Sequence, residues 1–133
     1  MPTNPNFVDH LAVSLALDGD PDGAIEQLQK AIAVDPASVE YRFNLAYVLE
    51  SRGDFAGAIT PLERAVALSR SKDWRCLAEL AKVYSKTGRT AEAIPLARRA
   101  LDIAVKQSNP QAAKTLQDAL DRYEHDSAGE KSN

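Results

Sequence analysis

The side chains that most often act as nucleophiles, bases or metal ligands, histidine and cysteine, are few and far apart in this sequence. The chain has two histidines, His10 and His125, and one cysteine, Cys76. A catalytic nucleophile needs a base within hydrogen-bond reach, and a zinc site needs several Cys or His ligands in one place. The histidines lie more than a hundred residues apart. We therefore expect no catalytic residue, no metal site and no cofactor.

The remaining reactive candidates also have structural interpretations. Asp18, Asp20 and Asp22 form close carboxylate pairs, but they fall at a predicted helix start, where carboxylates cap the backbone and favour the helix dipole. Cys76 follows Arg75, which could lower its thiol pKa. The alternative, inert packing, is favoured. The chain also lacks GxSxG, GxxxxGK, HExxH and EF-hand patterns, so it is not predicted to be an enzyme.

Composition favours one all-helical domain. The chain has 133 residues, of which 44% are hydrophobic and 6% aromatic, which gives room for a modest core. It contains 22 alanines but only 13 glycines and prolines together, a balance that favours helix. A net charge of −3 provides no overall basic field, so we expect no nucleic-acid partner. Base-by-base RNA binding would require a basic concave face, which the acidic pI argues against.

Nothing in the sequence predicts membrane insertion. The longest apolar stretch, Leu11 to Leu17, is far shorter than the roughly 20 residues needed to span a bilayer. The N-terminus lacks the basic residues and cleavage pattern of a secretory signal, which favours a cytoplasmic location unless the chain is a fragment. A single cysteine also excludes an internal disulfide.

The strongest pattern is an internal repeat with offsets of 34 and then 35 residues. Four features recur in the same register. They are Leu11-Ala12, Leu45-Ala46 and Leu80-Ala81; Gly19, Gly53 and Gly88; Ala24-Ile25, Ala58-Ile59 and Ala93-Ile94; and Ala31, Ala65 and Ala100. Several positions keeping register together indicate a repeat protein.

Each unit is predicted to contain two helices joined at the glycine. Apolar residues recur at helical spacing on both sides of it. The glycine stands where a helix end needs a left-handed residue, and Asp20 and Asp54 follow as N-cap candidates. The recurring alanines would let the two helices of a pair pack closely.

These units resemble tetratricopeptide repeats, and residues 39–72, VEYRFNLAYVLESRGDFAGAITPLERAVALSRSK, match that pattern best. The resemblance covers units at about 5–38, 39–72 and 74–107. It departs from the family at an early aromatic position, occupied here by Val8, Arg42 and Leu77. The alanine-rich composition of the units is similar to that of bacterial repeat proteins. The resemblance implies an α-solenoid whose first helices line a concave protein-binding groove.

Two prolines fall inside predicted helices. Pro61 and Pro95 lie about two turns into the second helices of units two and three, where each removes a backbone hydrogen bond. We expect bent but continuous helices, because apolar periodicity resumes after both. The alternative is that one of them ends its helix.

A seventh helix is expected after the repeats. Asn109 and Pro110 form a helix start, and an apolar stripe follows over about residues 110–124. Such a helix would cap the last repeat. We predict a single solenoid over 1–125 and a disordered tail at 126–133.

The family resemblance also implies groove-facing positions. The candidates for a peptide-binding groove are Asp9, Val13, Phe43, Asn44, Tyr47, Arg75, Lys82 and Lys86. Phe43 and Tyr47 could anchor a peptide, with the Asn44 amide beside them, or could instead pack against a neighbouring helix.

Charge is unevenly divided along the chain. The sum of Asp, Glu, Lys and Arg is −5 for residues 1–36, +1 for 37–72, +3 for 73–106 and −2 for the remainder. Arg75, Lys82 and Lys86 could therefore hold an acidic segment or a C-terminal carboxylate. The alternative, a solvated basic face, is favoured.

One subset of the family clamps the acidic C-termini of chaperones, and this chain lacks its pattern. The equivalent positions here are Asp9, Val13, Asn44, Arg75 and Glu79. Only Asn44 and Arg75 match, and two of the others would repel a carboxylate. A chaperone-tail adaptor of that type is therefore rejected.

Two hypotheses follow. The first is a non-catalytic scaffold that binds a peptide or protein segment, of unknown identity, in its groove. The alternative is a self-association or spacer segment of a larger repeat protein. In that case Val8, Leu11 and Leu15 of the uncapped first helix would form the interface, and the chain could be a homodimer.

Overall fold

The computed structural model describes residues 19–70 and 72–131. Within these ranges the chain forms helices and no strands, which confirms the all-α prediction. The first of the seven expected helices lies outside the described residues. The six described helices are α1 (Pro21–Val34), α2 (Val39–Ser51), α3 (Phe55–Leu68), α4 (Trp74–Lys86), α5 (Thr90–Lys106) and α6 (Pro110–Lys131).

The chain divides into two compact units between Leu68 and Ser69. The prediction of one continuous solenoid over 1–125 stays a prediction. In the first unit, α2 packs against α1 and α3. Its core cluster consists of Ala24, Leu28, Ala31, Tyr41, Leu45 and Val48.

In the second unit, α5 packs against both α4 and α6. Alanines are the fully buried residues on α5, and larger side chains face them from the neighbouring helices. The buried apolar residues include Leu77, Leu80, Val83, Ala93, Ala97, Ala100, Leu116, Leu120 and Tyr123. An ion pair of 3.1 Å between Arg98 and Glu124 also links α5 with α6.

The predicted N-caps are present. The Oδ1 atoms of Asp20 and Asp54 each accept a hydrogen bond of 2.9 Å, from the backbone N–H of Gly23 and Gly57 respectively. The Oδ1 atom of Asn109 accepts one of 3.1 Å from the N–H of Ala112. Each bond satisfies a backbone donor that has no partner inside the helix.

The repeat glycines adopt the left-handed conformation expected of them, with φ of 85° at Gly19, 81° at Gly53 and 84° at Gly88. After α2, the N–H of Asp54 donates to the Leu49 carbonyl at 2.9 Å and that of Gly53 to the Glu50 carbonyl at 2.8 Å. This paired pattern satisfies the last carbonyls of the helix.

The same helix ending occurs after α5 without a glycine. Ser108 has φ of 56°, its N–H donates to the Val105 carbonyl at 3.0 Å, and that of Asn109 donates to the Ala104 carbonyl at 2.9 Å.

We expect Ser108→Gly to raise the free energy of unfolding by about 0.5–1 kcal/mol, because glycine adopts this conformation without a Cβ clash. Urea unfolding followed by circular dichroism measures the change. An unchanged or lower stability would show that Ser108 is not strained.

Both interior prolines lie within continuous helices. α3 runs through Pro61 and α5 runs through Pro95. The alternative that one of them ends its helix is therefore wrong. Ala58, Leu62 and Ala65 around the first proline, and Ala93 and Ala97 around the second, are buried, so packing holds both helices together.

The last helix is longer than predicted. α6 continues to Lys131, beyond the expected end at 124 and through most of the segment expected to be a disordered tail. Thirty-five residues after Gly88 the chain has Tyr123, so no left-handed glycine ends the helix there. Tyr123 and Ser127 are buried, which continues the packed stripe by one turn past the predicted end.

Within the described chain, none of the helices combines the length and hydrophobicity of a membrane-spanning segment.

Candidate functional site

Three adjoining cavities lie between α4 and α6 in the second unit. Their volumes are about 370, 180 and 530 Å³. The first and second share Ala78, Glu79, Thr115 and Leu116, and the second and third share Lys82, Arg122 and Tyr123. We call this continuous surface the α4–α6 groove.

Small residues give the groove its depth. In its middle section Ala78 of α4 and Ala119 of α6 line the two walls, and Ala97 of α5 lines the cavity between them. Ala78 and Ala119 are half-buried, while Ala97 and Leu116 are buried. Larger side chains at these positions would fill the space. The middle section is therefore a narrow, mainly apolar channel open to solvent, with Glu79, Lys82 and Arg122 also among its lining residues.

The two ends of the groove differ in charge. At one end the cavity is lined by the uncharged Trp74, Asn109 and Gln111 and by one acid, Glu79. At the other end, the cavity of about 530 Å³ is lined by Lys82, Ser85, Lys86, Arg122, Tyr123 and Asp126. We call this second cavity the basic end.

The basic end carries a cationic excess. Lys82 forms an ion pair of 2.9 Å with Glu79. Among the described residues, neither Lys86 nor Arg122 forms an ion pair. Counting three cations against Glu79 and Asp126 leaves a formal charge of +1. Two exposed cations are thus available to an anionic group.

Tyr123 adds a hydroxyl to this cavity. Burial raises the pKa of the Tyr123 phenol above its ordinary value, although the positive charges of Arg122 and Lys82 act in the opposite direction. Its hydroxyl therefore stays protonated at neutral pH and can donate a hydrogen bond.

Arg75 does not line the basic end. It ion-pairs with Asp73 at 3.2 Å, and the same carboxylate caps α4 by accepting from the Arg75 N–H at 3.0 Å. Burial alone would raise the pKa of Asp73, but the hydrogen bonds and charge of Arg75 outweigh it and hold the pKa below the ordinary value. Of the three predicted cations, the structure brings Lys82 and Lys86 together.

The aromatic candidates lie on α2 in the first unit. Tyr47 is 52% exposed, and Phe43 and Asn44 are half-buried one turn earlier. Tyr47 is therefore not packed in the core, whereas Phe43 is partly covered. Their role as peptide anchors stays a prediction.

The remaining site candidates lie outside the described residues. They are Asp9 and Val13 of the predicted groove, and Val8, Leu11 and Leu15 of the predicted self-association face. Both assignments, and the homodimer that the second implies, stay predictions. Cys76 is described and is 1% exposed, in keeping with a packing role.

Three residues that α6 contributes to the basic end were not among the sequence candidates: Arg122, Tyr123 and Asp126. The sequence interpretation treated α6 as a cap whose polar residues only face solvent. The signal that was missed is the place of α6 in the repeat order. It comes directly after the second helix of the third repeat, where the first helix of a further repeat would stand, so it can line a groove as α4 does. Among the described residues, no group of His, Cys, Asp and Glu could hold a metal ion.

Comparisons with known proteins agree with this architecture. Tetratricopeptide repeat family models match residues 11–73 and 75–106. A comparison with curated protein sequences found no match.

Several solved structures share the fold. The Yersinia enterocolitica type III secretion translocator chaperone SycD aligns with a TM-score of 0.82 at 16% identity, covering 92% of this chain and 85% of that one. PcrH, in complex with the chaperone binding region of PopD, gives 0.82 at 16% identity over 92% of both chains. A type III secretion complex from Aeromonas hydrophila gives 0.83 at 15% identity, covering 94% and 85%. The likeness at these identities is one of fold, and together with the matched repeats it shows that the chain belongs to the tetratricopeptide repeat family.

Proposed function

We propose that this protein is a non-catalytic scaffold that binds a segment of a partner protein in the α4–α6 groove. The observation that carries the proposal is the continuous groove itself, with a mainly apolar channel between an end whose one charged lining residue is Glu79 and a basic end. A channel narrowed by two helices suits an extended chain or a single helix better than a compact small molecule.

The residues of the groove favour binding over chemistry. Its polar side chains include the donors Lys82, Lys86, Arg122, Ser85 and Tyr123, beside the acids Glu79 and Asp126. The buried Tyr123 and Leu116 offer apolar contact beside them. Such a mixture of apolar contact and a few polar groups is typical of surfaces that recognise peptides.

The structural neighbours support the proposal as analogy. PcrH has the same fold and has been solved with the chaperone binding region of PopD. A protein segment is therefore a reasonable ligand for this chain also. The partner's sequence is left open by this analogy.

Filling the apolar channel should weaken binding. We expect Ala119→Phe to weaken peptide binding at least about tenfold, because a ring at a half-buried groove position occupies the channel. The probe is a set of peptides selected from a random displayed library on the wild-type chain. Isothermal titration calorimetry then measures their affinities for both proteins.

Ala91→Phe is the matched control. Ala91 is exposed on α5 in the same unit and does not line the groove, so this variant should bind the peptides as the wild type does. Circular dichroism checks that both variants are folded. Selected peptides that bind Ala119→Phe with unchanged affinity would refute the groove as the site.

A further inference from the structure

We infer that the partner segment is acidic, and that its carboxylates sit at the basic end, on Lys86 and Arg122. This inference rests on the proposed function, because it names the chemistry of the ligand for the same groove. It goes beyond that function by fixing which part of the segment is charged and which end of the groove receives it.

The available positive charge is the first argument. Lys82 already has Glu79 at 2.9 Å, whereas Lys86 and Arg122 form no ion pair among the described residues. Both are exposed and both line the same cavity, one from each wall of the groove. A carboxylate placed between them could accept charge-assisted hydrogen bonds from two helices at once.

The neutral donors of the cavity fit the same ligand. Tyr123 and Ser85, each of which has a hydroxyl donor, line the same cavity as the cations. A carboxylate has more acceptor positions than one cation can satisfy, so hydroxyl donors complete its coordination. Asp126 also lines this cavity, and it disfavours a second carboxylate close to its own.

The other end of the groove gives the segment a direction. Trp74, Asn109 and Gln111 offer an aromatic ring and amides, and the one charged residue there, Glu79, is negative and disfavours a carboxylate. Small or apolar side chains are expected along the alanine channel, with polar neutral residues beyond it. The acidic residues of the partner therefore belong at the end of the segment nearest Lys86.

The test uses the same displayed library and a charge-reversed double variant, Lys86→Glu with Arg122→Glu. Peptides selected on the wild-type chain should be enriched in Asp and Glu relative to the starting library. They should bind the double variant at least about tenfold more weakly, because two favourable charges become repulsive. Wild-type affinity should also fall as salt is added.

Lys114→Glu with Arg99→Glu is the charge-matched control, because it also reverses two positive charges. Lys114 on α6 and Arg99 on α5 are exposed but do not line the groove, so this variant should retain binding. Peptides that are blocked by Ala119→Phe yet show no acidic enrichment, or bind the double variant unchanged, would overturn the acidic-partner inference alone. Peptides that Ala119→Phe does not block would overturn the proposed function as well.

Discussion

Leu77→Ala is expected to lower the free energy of unfolding by about 2–5 kcal/mol, which is the range for removing a large buried aliphatic side chain. Leu77 is 0% exposed and is among the largest fully buried side chains of the chain. It stands at a position where the repeat family usually has an aromatic residue, so the core of the second unit depends on it. Urea unfolding followed by circular dichroism measures the loss.

Val105→Ala provides the comparison within the same unit. Val105 is 59% exposed on α5, so its truncation should change stability by no more than about 0.5 kcal/mol. A loss below about 1 kcal/mol for Leu77→Ala would contradict the packing described for α4, since truncating a buried leucine in a close-packed core lowers the free energy of unfolding by more than that.

Ala93→Leu is expected to destabilise the fold by about 1–3 kcal/mol, through overpacking of the interface between α4 and α5. Ala24, Ala58 and Ala93 recur at equivalent repeat positions, and each is 0% exposed. A larger side chain would need space that neighbouring atoms occupy, because these methyl groups are wholly shielded from solvent. The melting temperature and urea midpoint measure the effect.

The control for this change is Ala91→Leu, two residues earlier on the exposed face of α5. It adds the same side chain to the same helix and should alter stability by no more than about 0.5 kcal/mol. Equal stability of Ala93→Leu and the wild type would mean that small residues are not required at the helix crossing.

The repeat register was the part of the fold most accessible from sequence. Gly53 and Gly88 could be assigned to helix ends because glycine recurs at this repeat position and readily adopts the left-handed conformation that ends a helix. Both have positive φ in the structure. Asp20 and Asp54 follow the same logic as N-caps, because their side chains bond backbone groups only three residues away. Helix ends and caps could be predicted because they depend on residues that are close together in the sequence.

The length of α6 could not be read from local pattern. The residues after Glu124 are polar or small, a composition typical of a tail, yet the helix continues to Lys131. Ser127 is buried because it follows Tyr123 by one helical turn on the packed stripe. Tertiary packing thus overrides a weak local preference.

The candidate site was only half predictable for a similar reason. Lys82 and Lys86 were identified because the resemblance to tetratricopeptide repeats implies that their positions face a groove. Arg122 joins them from a helix thirty-six residues further along the chain, and such a meeting depends on how α4 and α6 pack. Arg75 ion-pairs with Asp73 and does not line the basic end, and its role in a groove stays a prediction.

The most direct test of the account is a nuclear magnetic resonance titration of the isotope-labelled chain with an acidic peptide selected from the library. The account predicts that the backbone amide signals of Ala78, Lys82, Lys86, Thr115 and Arg122 shift together and saturate with one affinity. Signals of Phe43 and Tyr47 in the first unit should shift less. Shifts concentrated at Phe43 and Tyr47, with the α4–α6 groove unperturbed, would contradict the assignment of the binding site.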